Sequence, residues 1–76
     1  MDVTCTTTTH VVAATNVPAG RFAELPEGSE AAALGTARQM STDHRRVSFT
    51  VFEIRSDGAY PLASFLNGEQ RFKAAA

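Results

Sequence analysis

Hydrophobic and polar residues alternate along the chain in patterns that predict strands towards both ends and one helix between them. Residues 3–14, VTCTTTTHVVAA, are rich in Thr and Val, which favour extended backbone. Neither face of this long strand is cleanly apolar, so its register is weakly specified. A turn cluster, TNVPAG, follows, and residues 21–25, RFAEL, then predict a short return strand with Phe22 pointing inward.

The segment PEGSEAAALGTARQMSTD contains the one helix that the sequence predicts. Ser29 is a good N-cap, and Ala33, Ala37 and Met40 follow the i, i+4, i+7 spacing of a buried stripe. Gly35 weakens a helix by about 1 kcal/mol relative to Ala, and close approach of the helix to a sheet would explain its presence. The Ser-Thr-Asp cluster is expected to end the helix.

The run RVSFTVFEIR, residues 46–55, is the strongest strand in the chain. Its apolar residues change sides, with Val47, Phe49 and Val51 on one face and Phe52 and Ile54 on the other. Two explanations remain open. The strand is central, with part of both faces covered, or a bulge near Val51-Phe52 switches its phase.

Two dipeptides typical of hairpin turns divide the last third of the chain. Asp57-Gly58 leads into YPLASFL, residues 60–66, and Asn67-Gly68 leads into EQRFK. Pro61 is expected either at the start of its strand or at a position where a backbone N–H would face outward, because proline has no N–H to donate. In the last strand, Phe72 is expected to point inward.

These elements predict an α+β fold in which one helix packs on an antiparallel sheet of three to five strands. The expected order is strand, short strand, helix, strand, strand, short strand. We expect one domain over residues 1–76, with a frayed tail at residues 74–76. With 76 residues, 43% of them hydrophobic and none of them Trp, the core is thin, which is compatible with a monomer or a weak dimer.

Composition also bears on location. A single Cys excludes an internal disulfide, the N-terminus lacks the basic and apolar regions of a secretory leader, and no apolar run approaches the ~20 residues of a membrane helix. The sequence therefore predicts a cytoplasmic protein, in a host bacterial cytoplasm if a mobile element carries the gene.

Charge is divided unevenly between the two parts of the chain. Residues 1–43 carry five acids and two bases, a net charge of −3, whereas residues 44–76 carry five bases and three acids, a net charge of +2. This distribution permits a local basic face in a protein whose total charge is −1. Proteins that coat nucleic acid are normally basic overall.

Catalytic and metal-binding constellations are not evident in the sequence. Cys5 and His10 are five residues apart, so in a straight strand they point to opposite faces and lie ~16 Å from each other. A buried or half-buried Cys and a surface His are the expected arrangement. Cys5, His10 and His44 lack the paired spacing of metal ligands, and no glycine-rich phosphate loop occurs. We therefore expect no enzyme, no metal and no cofactor.

From residue 29 onward, the chain resembles the small phage-encoded anti-CRISPR proteins, in particular the type I inhibitors built as one helix on a small antiparallel sheet. The resemblance rests on SEAAALGTARQMS followed by VSFTVFEIRSDGAYPLASFLNGEQRF, and it covers roughly the last two-thirds of the chain. It implies a stoichiometric inhibitor without catalysis. Such a protein binds the CRISPR surveillance complex (Cascade) and blocks target DNA binding or nuclease recruitment.

The resemblance implies contact residues only in part, because the helix carries Arg38 as its single base where the related inhibitor uses several. Acidic residues ahead of the helix would then contact basic side chains of the partner. The candidate partner-binding residues are Arg38, Arg45, Arg46, Glu24, Glu27 and Glu30. The alternative is a small nucleic-acid-binding or regulatory domain. Its basic face would comprise Arg45, Arg46, Arg55, Arg71 and Lys73.

Overall fold

One helix lies across a five-stranded antiparallel sheet in the computed structural model, which describes residues 8–18 and 20–74. The elements in chain order are β1 (His10–Ala14), β2 (Leu25–Glu27), α1 (Glu30–Asp43), β3 (Phe49–Arg55), β4 (Gly58–Leu66) and β5 (Glu69–Lys73). The spatial order of the strands is β2-β1-β3-β4-β5, and every neighbouring pair is antiparallel. The predicted α+β class and element order are confirmed.

The helix begins where the sequence predicts it. The Ser29 side chain accepts a hydrogen bond from the Ala32 N–H at 3.1 Å, as an N-cap does. The Ser-Thr-Asp cluster lies inside α1, and the helix ends at its last member, Asp43. Gly35 is exposed, and a methyl group added there would meet no atom of the described residues within 4 Å, apart from the backbone of α1 itself. The expected close approach to the sheet at Gly35 was therefore wrong.

The core lies between α1 and one face of the sheet. Ala33 and Ala37 are fully buried, and their small side chains allow the helix to lie close to the large side chains of the central strands. We call this side of the sheet the helix face. Its buried residues are Val12, Phe49, Val51, Ala63 and Phe65.

The two sides of β3 explain its change of apolar face. Against β1 the register is continuous, from Ala14↔Phe49 to His10↔Glu53. Against β4 it shifts between Val51 and Phe52, so that the extra residue lies in β4. β3 is therefore a central strand with apolar residues on both faces, and a bulge occurs at the predicted place without changing the phase of β3 itself.

Several expected boundaries were wrong. The return strand is Leu25–Glu27, not residues 21–25. It tolerates Pro26 because β2 is an edge strand. β3 begins at Phe49, not at residue 46. The expected strand over residues 3–14 is observed as His10–Ala14; residues 8 and 9 are described but lie outside β1, and residues 3–7 lie outside the described residues.

Side-chain burial also differs from expectation at two positions. Phe72 is 45% exposed and does not point into the core. It pairs with Ser64, which follows the buried Ala63, so both residues lie on the side of the sheet opposite α1. His10, expected at the surface, is only 7% exposed because it lies in β1 between β2 and β3, on the helix face. Phe22 is half-buried against the core, as predicted.

The C-terminal end of β5 remains paired. The Ala74 N–H donates to the Leu62 carbonyl at 2.8 Å. Residues 75 and 76 of the expected frayed tail lie outside the described residues. A helix long and apolar enough to cross a membrane does not occur in the part of the chain that the structure describes.

Candidate functional site

The β4–β5 turn is clamped by the last turns of α1. Asn67 and Gly68 have φ values of 54° and 78°, the positive angles that a type I′ hairpin requires. The Ser41 hydroxyl, fully buried, accepts from the Gly68 N–H at 2.9 Å and donates to the Arg38 carbonyl at 2.9 Å. The Thr42 hydroxyl donates to the same carbonyl at 2.9 Å. This turn therefore has a fixed position relative to the helix.

Two of the predicted contact residues converge on this turn. The Arg38 guanidinium lies over the Phe65 ring, 5.3 Å from its centroid, which is cation–π geometry. The Arg45 Nε donates to the Asn67 Oδ1 at 3.1 Å. Both side chains are exposed, and neither forms an ion pair with any of the described carboxylates. We call the arrangement of Arg38, Arg45 and Asn67 the hairpin corner.

Arg46 is tied to a different part of the molecule. Its carbonyl accepts from the Asn16 side-chain amide at 3.0 Å, and the Asn16 carbonyl oxygen accepts from the Ser48 N–H at 2.8 Å. Arg45 is thus anchored to the β4–β5 turn, whereas the Arg46 backbone is anchored to the loop after β1. Arg38 and Arg45 are held two residues apart, by Phe65 of β4 and Asn67 of its turn, whereas no hydrogen bond or ion pair joins the Arg46 side chain to the described residues.

The three candidate acids do not share one surface. Glu27 is half-buried, and its carboxylate accepts from the Thr36 hydroxyl of α1 at 2.6 Å. Glu24 lies on the opposite side of the sheet, where it lines a groove with Val11 and Ala13. Glu30 lies in the first turn of α1 and lines a separate cleft of about 430 Å³. A single acidic contact face is therefore not formed by these residues.

The remaining bases of the nucleic-acid alternative are two arginines in ion pairs and one lysine. Arg55 forms an ion pair with Glu53 at 2.7 Å, and its guanidinium lies 4.2 Å from the Tyr60 ring centroid. The hydrogen bond with Glu53 raises the pKa of Arg55. Arg71 pairs with Glu69 at 3.0 Å. Lys73 is exposed at the end of β5.

The basic residues between 45 and 73 do not form one face, although Arg55 and Lys73 line the same cleft. Arg55 lies at the β3–β4 turn, and Arg45 lies at the β4–β5 turn, at the other end of β4. A strand of this length spans roughly 25 Å. The proposed basic face of the nucleic-acid alternative is thus divided between two ends of the sheet.

The side of the sheet opposite α1, which we call the open face, was not identified from the sequence. Its apolar residues include Phe52 and Ile54 of β3, and Ile54 is 43% exposed. A shallow groove of about 210 Å³ crosses it. The groove is lined by Val11, Ala13, Glu24, Phe52, Ile54 and Ala59. The pattern that could have indicated this face is the change of side of the apolar residues within β3.

His10, the buried histidine, belongs neither to the hairpin corner nor to the open face. His10 Nδ1 is 2.7 Å from the Thr9 hydroxyl, and Nε2 has no hydrogen-bond partner among the described residues. Its cross-strand neighbours are Glu27 and Glu53. Cys5, the other half of the pair considered above, lies outside the described residues. Among residues 8–18 and 20–74, no three side chains of the metal-binding types come together.

Comparison of the chain with protein-family models, with curated proteins and with solved structures finds no match.

Proposed function

We propose that the protein is a small non-enzymatic inhibitor that acts by binding a larger protein assembly, and that the hairpin corner makes the contact. The observation that carries the proposal is the pair of exposed arginines held on one turn without a carboxylate partner among the described residues. Positive charge left unpaired at a structured corner favours an acidic partner surface.

The geometry of the corner lowers the cost of binding. Arg38 is held over the Phe65 ring and Arg45 is held by Asn67, so each loses less conformational freedom on contact than a free side chain would. A guanidinium also binds a carboxylate through two parallel hydrogen bonds, and arginine is enriched among the residues that dominate interface energies.

A protein partner agrees better with the charge distribution than nucleic acid does. The total charge is −1, and Arg55 and Arg71 are already paired with acids of their own strands. Two unpaired arginines at one corner match a local acidic patch. A long phosphate backbone would require a continuous basic track.

The resemblance to anti-CRISPR proteins supplies the identity of the proposed partner. On that basis, the protein binds a type I CRISPR surveillance complex in the host bacterial cytoplasm and blocks target DNA binding or nuclease recruitment. The α+β architecture is compatible with this role, and the hairpin corner supplies the contact in place of a basic helix.

Co-purification with a panel of type I surveillance complexes tests the proposal. Arg38→Ala and Arg45→Ala should each weaken binding by about 10-fold or more, since truncation of a central interface arginine costs at least ~1.4 kcal/mol. Arg21→Ala is the matched control, because Arg21 is exposed and the change in charge is the same. Thermal melting of each variant shows whether the fold persists.

Each outcome has a defined meaning. Absence of binding to every type I complex would overturn the CRISPR assignment. Undiminished binding by the Arg38→Ala/Arg45→Ala double variant would overturn the role of the hairpin corner. Gel shifts at increasing salt test the alternative, because binding through phosphate contacts must weaken steeply as salt rises.

A further inference from the structure

The open face carries no charged side chain on the three central strands, and most of its residues are apolar. β1 places Val11 and Ala13 on it, opposite the buried Val12. The described residues that β3 and β4 place there are Thr50, Phe52, Ile54, Ala59, Pro61, Ser64 and Leu66. None of these side chains is charged. Single exposed apolar residues are ordinary, but a continuous apolar face is typical of an interaction surface.

Among the described residues, the charged side chains of this face lie at its two rims. At the β2 rim, Glu24 precedes Leu25, the partner of Val12, so it lies level with Ala13. At the β5 rim, Arg71 forms an ion pair with Glu69, which is paired with Leu66 of the open face.

The charged residues of the two rims, Glu24 and Arg71, lie at similar positions along the strand direction. Ala13 is paired with Thr50, Thr50 with Ser64, and Ser64 with Phe72. Glu24, level with Ala13, is therefore in the same cross-strand row as Phe72, the neighbour of Arg71. Glu24 thus lies at one end of this row, and Arg71, which is ion-paired with Glu69, lies beside its other end.

We infer that the open face is covered by the same face of a second copy of the chain. β3 is the middle strand, so a two-fold axis in the interface and nearly parallel to β3 superposes β2 of each copy on β5 of the other. Because this rotation preserves height along the strands, Glu24 of each copy meets the Glu69–Arg71 pair of the other. Both members of that pair are exposed, so their ion pair is weak and Arg71 can contact the Glu24 carboxylate as well. Phe52 of each copy lies near the axis. An axis perpendicular to the strands would superpose the β2 rims and bring the two Glu24 carboxylates to the same edge.

The size of the face agrees with a weak dimer. Four strands about 4.8 Å apart and about 23 Å long cover roughly 450 Å² per copy, or about 900 Å² in the pair. Specific interfaces begin near 1,000 Å², so we expect a dissociation constant in the micromolar range. α1 and Arg38 remain on the outer side of this dimer. The inference does not depend on the function proposed above.

Sedimentation velocity at protein concentrations from about 1 μM to about 500 μM tests this inference. Wild-type protein should pass from monomer to dimer over this range. Ile54→Lys and Phe72→Lys place a charge on the open face at exposed positions and should each weaken dimerisation by about 10-fold or more. Ala31→Lys adds the same charge at an exposed position of α1 and should leave the dimer unchanged.

Charge reversal tests the orientation of the two copies. Glu24→Lys and Arg71→Glu should each weaken the dimer, and the double variant should restore part of the loss, because the reversed pair meets across the interface. A chain that remains monomeric at the highest concentration would overturn the inference. So would a dimer that tolerates Ile54→Lys and Phe72→Lys. A dimer in which the two charge reversals are additive would overturn the axis along β3.

Discussion

Replacement of Ser41 by Ala should destabilise the protein, although Ala has a higher helix propensity than Ser. Ser41 is 0% exposed, and it is the acceptor for the Gly68 N–H. A donor left without a partner costs about 1–3 kcal/mol. The higher helix propensity of Ala offsets roughly 0.5 kcal/mol. We therefore expect Ser41→Ala to lower the free energy of unfolding by about 1–2 kcal/mol.

Thr42→Ala is the matched control for this substitution. Both hydroxyls donate to the Arg38 carbonyl at 2.9 Å, but Thr42 is exposed and accepts no bond from the β4–β5 turn among the described residues. Its loss should change the free energy of unfolding by no more than about 0.5 kcal/mol. The difference between the two variants measures the bond that joins α1 to the turn.

Urea denaturation followed by circular dichroism measures both values. All proteins are compared at one concentration, since self-association changes apparent stability. Ser41→Ala should shift the midpoint without changing the slope and should lower the melting temperature by about 5–15 °C for a domain of this size. The reasoning would be refuted if Ser41→Ala were no less stable than Thr42→Ala.

The same clamp predicts coupling between Thr42 and Gly68. A methyl group added at Gly68 would lie 2.8 Å from the Thr42 hydroxyl, and the φ value of 78° disfavours any Cβ. Gly68→Ala should cost about 1–2 kcal/mol from backbone conformation alone, and more where the hydroxyl is present. A double-mutant cycle should therefore show a smaller cost in the Thr42→Ala background. Equal costs in both backgrounds would show that the hydroxyl moves away freely.

Three further predictions concern other parts of the molecule. Gly35→Ala should stabilise the protein by about 0.5–1 kcal/mol, because Gly35 is exposed in the helix interior with open space around it; a urea midpoint that does not rise would contradict this. Phe65→Ala should lower the free energy of unfolding by about 3–5 kcal/mol, because Phe65 is 1% exposed. Phe72→Ala should lower it by about 1 kcal/mol or less in the monomer at low concentration, because Phe72 is 45% exposed. Similar melting temperatures for the two variants would refute the assigned faces. The pKa of Tyr60 is raised, first by its hydrogen bond to Asp57 and next by desolvation, so the stability from this bond is present below the ordinary value of about 10 and is lost as pH rises through the raised pKa. Tyr60 is the single tyrosine, so its absorbance titration reports this pKa, which should fall in Asp57→Ala.

Local patterns were sufficient for elements whose causes lie within a few residues. Ser29 predicted the start of α1 because an N-cap bonds to an N–H only three residues ahead. Ala33 and Ala37 predicted the buried stripe because helical spacing alone aligns them. Asn67-Gly68 predicted the second hairpin because both residues tolerate positive φ.

The candidate site depended on contacts between distant parts of the chain. Arg38 and Arg45 were identified as candidates, but their meeting requires the β4–β5 turn to pack against α1 through Ser41, 27 residues from Gly68. The spacing of hydrophobic residues does not predict a hydrogen bond between distant parts of the chain. From the sequence, Ser41 was interpreted as part of the cluster that ends the helix. The acids Glu24 and Glu27 are near in sequence and lie on opposite sides of the sheet.

By itself, the sequence determined the class of fold, the start of the helix and the positions of the last two hairpins, since each depends on local spacing and turn chemistry. Strand pairing decided that β3 is apolar on both sides without a change of phase. Tertiary structure decided the face of Phe72, because the β4–β5 register shifts between Ser64 and Phe65 and a two-residue period cannot reveal an inserted residue. It also decided the burial of His10, which depends on strands that flank β1 on both sides. Strand pairing, which joins residues far apart in the chain, is the physical reason that one face of the sheet is covered by α1 and the other remains apolar and open.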